Sequence, residues 1–176
     1  ILSMDSDVFC YLFDGGSWNL GYIISIGYEP AFLQISDDFL FIGKFGSKPQ
    51  IEIYNANDGS YQQVLKSDQA LFGTLFDAHE RYVFAASPDS THGSLYKRNA
   101  NGIYLFQREV QSPNGQTIRQ GKVHHDKLFI QTNENGYLYS TDLEDGTLIH
   151  TINYPLPHGG FQLTNRFIIL GQRIYS

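Results

Sequence analysis

The sequence repeats itself at a fixed interval, and this repeat limits the folds that are open to it. Four Asx-Gly pairs follow one another at intervals of 43 or 44 residues: Asp14-Gly15, Asp58-Gly59, Asn101-Gly102 and Asp145-Gly146. Such pairs favour two-residue type I′ hairpin turns, because both central residues of that turn need a positive φ angle. A hairpin turn with a constant period near 44 residues indicates tandem four-stranded units.

Two further markers recur in the same order along the chain. An aliphatic residue followed by tyrosine occurs at Ile53-Tyr54, Leu95-Tyr96, Leu138-Tyr139 and Ile174-Tyr175, with Val8-Phe9 as a fifth copy. A charged residue before an apolar strand occurs at Asp38-Phe39, Arg81-Tyr82, Lys127-Leu128 and Arg166-Phe167. Three independent markers in one order favour a true repeat over a chance match.

Short β-rich runs predict an all-β chain. Helical periodicity extends over no more than about two turns anywhere, and 17 glycines and 6 prolines interrupt the sequence. The best-defined unit has strands a to d at 118–123, 127–131, 137–141 and 147–153, and strand a of the earlier units is predicted at 32–36 and 71–76. We expect one domain over 1–176, with units near 1–28 (partial), 29–68, 69–112, 113–156 and 157–176 (partial), beginning and ending inside a strand c.

The hairpin at 139–152 resembles the c-to-d hairpin of a WD-repeat (β-transducin-type) propeller blade. Weaker copies are 53–60 and 95–102, and the resemblance covers about 8–175. Its period agrees with the roughly 40–45 residues of a four-stranded blade. The sequence departs from the family at two positions. Tyrosine replaces the family's tryptophan, and the aspartate that should follow is replaced by Asn55, Lys97, Ser140 and Ser176. Asp142 is a displaced candidate for that aspartate.

The same hairpin is similar to quinoprotein-like propeller repeats, in which a tryptophan locks adjacent blades. The corresponding positions here are Val64, Phe106 and His150, and Trp18 is the one tryptophan in the chain. These residues argue against a quinone cofactor, and no cofactor is expected.

Strands b and c are nearly continuous apolar runs, which indicates sheets covered on both faces. This pattern favours stacked blades over a two-layer sandwich. Leu40 with Ile42, or Ile51 with Ile53, can pack between blades, with Phe39, Phe41 and Tyr54 on the other face. Propellers have about 4–8 blades, so a longer chain, another chain or a four-bladed closure would complete the ring.

Charge and composition exclude several classes of function. The net charge of -6 and the pI near 5.4 disfavour binding to nucleic acid or to an anionic membrane, which both need a cationic face. One cysteine, Cys10, and no Asn-x-Ser/Thr sequon favour an intracellular location. The N-terminal residues do not form a signal peptide.

No group of residues predicts catalysis or metal binding. In His124-His125-Asp126 we expect adjacent histidines to point to opposite sides of a strand, which disfavours a shared ion, so this segment is interpreted as an a–b turn. Asp37-Asp38 is interpreted as a tight turn, His158-Gly159-Gly160 as a connection between blades, and Cys10 as a small buried residue. Strand a offers Gln34, Thr74, Arg119, Lys122 and Gln162, with no acid pair for acid–base chemistry.

The remaining candidate surface is the propeller face built by the d–a and b–c loops, which commonly holds peptides or partner domains in the family that the sequence resembles. Its predicted partner-binding residues are Tyr28, Glu29, Lys48, Asp89, His92, Glu134, Leu156 and His158. The face lacks the converging cations of a phosphopeptide site and suits a neutral or basic peptide, or an apolar anchor beside Tyr28 and Leu156.

The leading hypothesis is a non-enzymatic scaffold for a protein or peptide partner within a multi-subunit complex. The alternative is a ligand-binding or enzymatic propeller of the quinoprotein-like or glycan-acting kind.

Overall fold

The described part of the chain consists of β-strands joined by turns. In the computed structural model it comprises residues 2–4, 6–44, 49–67, 72–88, 90–112, 115–132, 137–153, 161–163, 168–170 and 173–175. The strands are β1 (Leu2–Met4), β2 (Asp7–Phe13), β3 (Trp18–Ser25), β4 (Phe32–Ser36), β5 (Phe39–Lys44), β6 (Gln50–Asn55), β7 (Tyr61–Lys66), β8 (Leu75–His79), β9 (Tyr82–Ala86), β10 (His92–Arg98), β11 (Tyr104–Gln111), β12 (Ile118–His124), β13 (Lys127–Thr132), β14 (Tyr137–Asp142), β15 (Leu148–Asn153), β16 (Phe161–Leu163), β17 (Ile168–Leu170) and β18 (Arg173–Tyr175). None of these described residues belongs to a helix that could cross a bilayer.

The strands form five antiparallel sheets in which sequence neighbours pair. We name them blade 1 (β1–β3), blade 2 (β4–β7), blade 3 (β8–β11), blade 4 (β12–β15) and blade 5 (β16–β18). Blades 2 to 4 have four strands each, so the predicted all-β class and its four-stranded antiparallel units are confirmed. The chain divides into two compact units, Ile1–Thr74 with blades 1 and 2, and Leu75–Ser176 with blades 3 to 5.

Two predicted strand positions are wrong. Strand a of blade 3 is β8, Leu75–His79, about four residues beyond the predicted 71–76. The apolar residues that suggested the earlier position include Phe72, which is buried in a turn before the strand. In blade 1, β2 has the register step of a strand c, and β1 pairs with its other edge, so the first described strand is a strand b and not a strand c.

A β-bulge recurs at the same place in blades 1 to 4 and defines the repeat better than the tyrosine marker does. In each blade strand d carries one extra residue opposite a step in strand c, at Cys10/Tyr11, Ile53/Tyr54, Leu95/Tyr96 and Ser140/Thr141. Bulges of this kind fix register and increase strand twist. Aligned by the bulge, Tyr11 and not Phe9 is the blade 1 copy of Tyr54, and Thr141 and not Tyr139 is the blade 4 copy.

The c–d turns are longer than the predicted two-residue type I′ turns. Only the glycine of each Asx-Gly pair has a positive φ, for example Gly59 at 74° and Gly146 at 80°, whereas the preceding aspartates do not. In blade 4 the Asp142 carboxylate accepts the Glu144 N–H at 2.7 Å, and the Gly146 N–H donates to the Asp142 carbonyl at 3.0 Å. The loop is therefore closed by an Asx turn and a left-handed glycine.

The a–b hairpins of blades 2 to 4 each have a two-residue turn whose first residue has a positive φ. These residues are Asp37, Glu80 and His125, with φ angles of 50°, 51° and 52°. The second turn residues are then Asp38, Arg81 and Asp126. The predicted marker, a charged residue before strand b, was therefore assigned one position too late in blade 4, because Lys127 already belongs to β13.

The central strands are buried on both faces, as their continuous apolar sequence predicted: β9 is buried at all five positions. In the first unit the core between blades 1 and 2 contains Val8, Cys10, Ile24, Leu40, Ile42 and Tyr54. Cys10 is buried with a free thiol, as predicted. Tyr54 shares a face with Leu40 and Ile42, not with Phe41 as expected, because Leu40 pairs directly with Tyr54 across the sheet.

The same contact joins neighbouring blades in both units. The residue after the bulge on strand d reaches the c–d loop of the next blade. Tyr22 Oη donates to the Ala56 carbonyl at 2.5 Å, and Arg108 Nη2 donates to the Asp142 carbonyl at 2.9 Å. The loop glycine allows this approach, since a Cβ on Gly146 would lie 2.5 Å from Arg108 Nη1. The contact closes one edge of the interface between blades 1 and 2 and of that between blades 3 and 4.

We expect Arg108→Ala to destabilise the second unit by about 1.5–3 kcal/mol, because a hydrogen bond to a charged donor and its packing on Gly146 are both lost. Urea unfolding followed by circular dichroism measures the change. Arg119→Ala is the matched control, since Arg119 is exposed, and its effect should stay within about 0.5 kcal/mol. Equal effects of the two substitutions would contradict the assigned contact.

A second contact between blades 3 and 4 is ionic. Glu144 accepts hydrogen bonds from Lys97 Nζ at 2.6 Å and from Tyr82 Oη. The hydrogen bond from Lys97, followed by that from Tyr82, lowers the pKa of Glu144 below its ordinary value of 4.5. More than half of the Glu144 side chain is exposed, so solvent screening keeps the contribution of this pair small.

Because the folded-state pKa of Glu144 is lowered, its stabilisation is present above about pH 4.5 and is lost as the pH falls through the lowered value. We expect Glu144→Gln to reduce stability at pH 7 by about 0.2–1 kcal/mol and to have a smaller effect at pH 3. Denaturant unfolding of both proteins between these pH values tests this. A Glu144→Gln effect that is the same at both pH values would show that charge does not carry the contact. The exposed Glu29→Gln is the control.

Candidate interaction surfaces

The structure describes three of the eight predicted partner-binding residues. Tyr28 and Glu29 lie in the first unit, between β3 and β4, and His92 is the first residue of β10 in the second unit. The other five, Lys48, Asp89, Glu134, Leu156 and His158, lie outside the described residues and stay predictions.

Tyr28 is partly buried. Its half-buried ring packs against the core between blades 1 and 2, and Lys44 Nζ lies 4.6 Å above the ring centroid. Burial first, and the nearby Glu52 carboxylate second, raise the pKa of the Tyr28 hydroxyl. Glu52 accepts hydrogen bonds from Gln50 Nε2 and Tyr54 Oη, both at 2.6 Å. The exposed Glu29 beside this cluster remains accessible to a partner.

His92 lies at the b–c end of blade 3. Its Nε2 is 3.0 Å from Glu109 Oε1, and its Nδ1 is 3.4 Å from Thr91 Oγ1. The side chain is 39% exposed and that of Glu109 is 59% exposed. The pair can exchange its internal contact for one with a ligand at little cost, since exposed ion pairs contribute roughly 0–1 kcal/mol.

One face of blade 1 exposes a strip of apolar side chains. Cross-strand partners place Tyr11 opposite Leu20 and Phe13 opposite Trp18. The Phe13 and Trp18 ring centroids are 5.2 Å apart, and Trp18 is 69% exposed. Ile23 continues the strip along β3 and is also exposed. Contiguous exposed apolar side chains of this kind mark interaction surfaces.

When the blades are aligned by their bulges, this face of blade 1 is equivalent to the face of blade 2 that a neighbouring blade covers. Tyr11 of blade 1 and Tyr54 of blade 2 occupy the same position, yet Tyr11 is 38% exposed and Tyr54 is 8% exposed. Tyr54 is buried because blade 1 packs on its face of blade 2. The corresponding face of blade 1 therefore has the residues and register of a blade interface and is accessible.

Strand a of blade 3 carries an acid, Asp77, that lies just beyond the predicted strand 71–76. Asp77 Oδ2 accepts the Val123 N–H at 2.8 Å, and Lys122 Nζ lies 3.6 Å from Asp77 Oδ1. Both contacts join the first strands of blades 3 and 4. Asp77 is buried and is the single acid in the sequence of β4, β8, β12 and β16, so these strands supply one carboxylate and no acid pair.

The expectation that His124 and His125 point apart is wrong. Their ring centroids are 4.3 Å apart. The reason is that His125 is not a strand residue: it is the left-handed first residue of the a–b turn, so the alternation of a strand does not apply to it. The rings of both residues also contact His79, which ends strand a of blade 3. The repeat itself could have revealed this, since His79 and His124 each end a strand a.

No protein-family model matches the sequence, and no curated protein matches it. Solved structures do show similarity. Hsv2 from Kluyveromyces lactis superposes with a TM-score of 0.62 and 10% identity, over 82% of this chain and 44% of Hsv2. A second Hsv2 structure, with a complete loop 6CD, gives a TM-score of 0.60 at the same identity and coverage.

The β-propeller domain of Cps50 (Swd1) from Myceliophteria thermophila is similar over 70% of this chain and 38% of that domain, with a TM-score of 0.51 and 12% identity. The present chain thus spans less than half the length of each of these structures. At such identities the similarity concerns the fold alone. Together with the repeated antiparallel blades and their common bulge, it shows that this chain has a β-propeller fold.

Proposed function

We propose that this protein is a non-enzymatic interaction scaffold whose blade 1 binds a blade of a partner protein, within a larger complex. The observation that carries the proposal is the exposed apolar face of blade 1, with Trp18 at its edge. Burial of such a face against a second sheet is the main source of stability for stacked blades.

The chemistry of the face favours a sheet as its occupant. Its three cross-strand pairs, Phe9–Ile23, Tyr11–Leu20 and Phe13–Trp18, form two parallel rows at strand spacing. A flat apolar sheet face can interdigitate with both rows, as the opposite face of blade 1 does with blade 2. This chain matches less than half the length of the similar propellers, which leaves room for further blades next to blade 1.

The loop ends are proposed as a second contact region for a peptide or partner domain. Glu29 and the His92–Glu109 pair are accessible there within their respective units, and the five undescribed residues remain part of this prediction. Among the described first strands β4, β8, β12 and β16, the one acid is Asp77, and its contacts with Lys122 and Val123 support binding over catalysis.

The photo-crosslinking amino acid p-benzoylphenylalanine at position 18 tests the proposal in cells that naturally express the protein. We expect a cross-link to a different protein, mapped by mass spectrometry to a propeller strand. Trp18→Arg should then weaken the purified complex by at least about 10-fold, as expected for an aromatic anchor. The same amino acid at position 61 is the control, because Tyr61 is an exposed fourth-strand residue of blade 2.

Three results would contradict the proposed occupant. Cross-links confined to the same polypeptide would show that the chain covers its own face. Cross-links confined to a second copy would show self-association. Equal cross-linking from positions 18 and 61 would show nonspecific capture. Circular dichroism of Trp18→Arg must match that of the unmodified protein before its binding is interpreted.

A further inference from the structure

Two neighbouring hairpins bring three histidines and one glutamate together at the a–b end of blades 3 and 4. β8 ends at His79 and β12 ends at His124, and the turns that follow begin with Glu80 and His125. These pairs of residues occupy equivalent places in consecutive blades. Blade packing therefore aligns side chains that are about 45 positions apart in the sequence.

The potential ligand atoms are close to one another. Glu80 Oε1 lies 3.7 Å from His79 Nε2 and 3.4 Å from His125 Nδ1, and one atom from each of the three residues lies within 4.8 Å of the others. A tetrahedral ion with bonds of about 2.05 Å holds its ligands roughly 3.3 Å apart. The two separations that involve Glu80 are already near that value, and a small rotation of the exposed His125 side chain brings its Nδ1 closer to His79 Nε2.

A third histidine packs against one side of the site, and the other side is exposed to solvent. His124 stacks on His79, with ring centroids 5.1 Å apart and an angle of 19° between the planes, and it also contacts His125. The Nε2 atom of His79 is buried and has no hydrogen-bond partner, since Glu80 Oε1 is too distant. A buried nitrogen without a partner is costly, and a metal ion would supply one.

We propose that His79, Glu80 and His125 form a binding site for a divalent transition-metal ion, with Zn²⁺ as the best match. Imidazole nitrogens select zinc, copper or nickel over magnesium and calcium, which prefer oxygen ligands. Two histidines and one glutamate leave a fourth tetrahedral position for water. The bound ion links the first hairpins of blades 3 and 4.

Zinc titration of the full chain, purified without a histidine tag and treated with a chelator, tests the site. Competition with a chromophoric chelator should give one zinc ion per chain. We expect His79→Ala and His125→Ala each to weaken binding by at least about 10-fold, the smallest loss that is typical even for residues behind the ligands. Zinc should raise the melting temperature of the unmodified chain, whereas Mg²⁺ and Ca²⁺ should not.

A matched control lies in the same unit. His92 and Glu109 form another histidine–glutamate pair, with 3.0 Å between Nε2 and Oε1, and neither belongs to the three-residue cluster. His92→Ala and Glu109→Gln should change zinc affinity by less than about two-fold, because neither residue is a ligand. Glu80→Gln removes the carboxylate but keeps the side-chain size. A loss of zinc binding in this variant is therefore not explained by misfolding.

The proposal is overturned by either of two results. Zinc affinity that is equal in the unmodified chain and in a folded His79→Ala, His125→Ala double variant would locate any bound ion elsewhere. Failure of the unmodified chain to bind zinc more tightly than it binds Mg²⁺ would exclude a histidine site. Cobalt substitution gives a second readout, since d–d absorption of tetrahedral intensity must appear in the unmodified chain and disappear in the double variant.

Discussion

Phe84→Ala is expected to destabilise the protein by about 3–5 kcal/mol, which is the usual cost of removing a fully buried aromatic side chain. Phe84 is central in β9, has no exposed surface and belongs to the core between blades 3 and 4. For a chain of this length the loss corresponds to a fall in melting temperature of roughly 6–20 °C. Thermal and urea unfolding measure it, and hydrogen exchange should place the change in the second unit.

Phe106→Ala is the control for this prediction. The chemical change is the same, but Phe106 is 60% exposed, and its ring lies edge-on to that of Tyr96. Its cost should remain below about 1 kcal/mol. Similar costs for Phe84→Ala and Phe106→Ala would show that the interface between blades 3 and 4 is not packed as described.

Gly121→Ala is expected to destabilise the protein by about 1–3 kcal/mol, because the interface has no space for a methyl group. A Cβ on Gly121 would lie 2.1 Å from Cε1 of Phe84, and the buried ring cannot move away. Gly93 is close to the other side of the ring. Gly16→Ala is the control: the nearest atom to its Cβ would be 3.7 Å away, so its effect should stay within about 1 kcal/mol of zero.

The two substitutions should be strongly coupled. In the Phe84→Ala background the ring is absent and a cavity remains, so Gly121→Ala should become neutral or stabilising. A reversal of sign of this kind corresponds to a coupling energy of about 1–3 kcal/mol, which a double-mutant cycle measures. An unchanged cost of Gly121→Ala in the absence of the ring would refute the clash as its cause.

The sequence predicted the fold class and the central strands because these depend on local patterns. Continuous apolar runs identified β5, β9 and β13 as strands buried on both faces. The turn type was predicted wrongly, because Asp-Gly and Asn-Gly also end longer loops, in which an earlier Asx side chain caps the turn. Asp142 is such a cap, and the bulge alignment gives it the position that Asn55 has in blade 2.

The candidate sites were harder to predict, because each depends on contacts between blades. The sequence predicted Tyr28 as a partner-binding residue, but a tyrosine after a glycine has the same pattern whether its ring is exposed or lies beneath Lys44. The histidine cluster was missed because the strand b marker was aligned one residue late at Lys127. This shift hid the equivalence of His79 and His124.

The sequence alone determined that strands of a given length recur with a period near 44 residues, since turn residues and apolar runs act on their chain neighbours. The tertiary structure decided which face of each strand is covered and which side chains meet. The register of a strand is set by its bulge, and a shift of one residue reverses the two faces. The environment of Tyr11, Phe84 and His79 therefore depends on how the blades pair and pack.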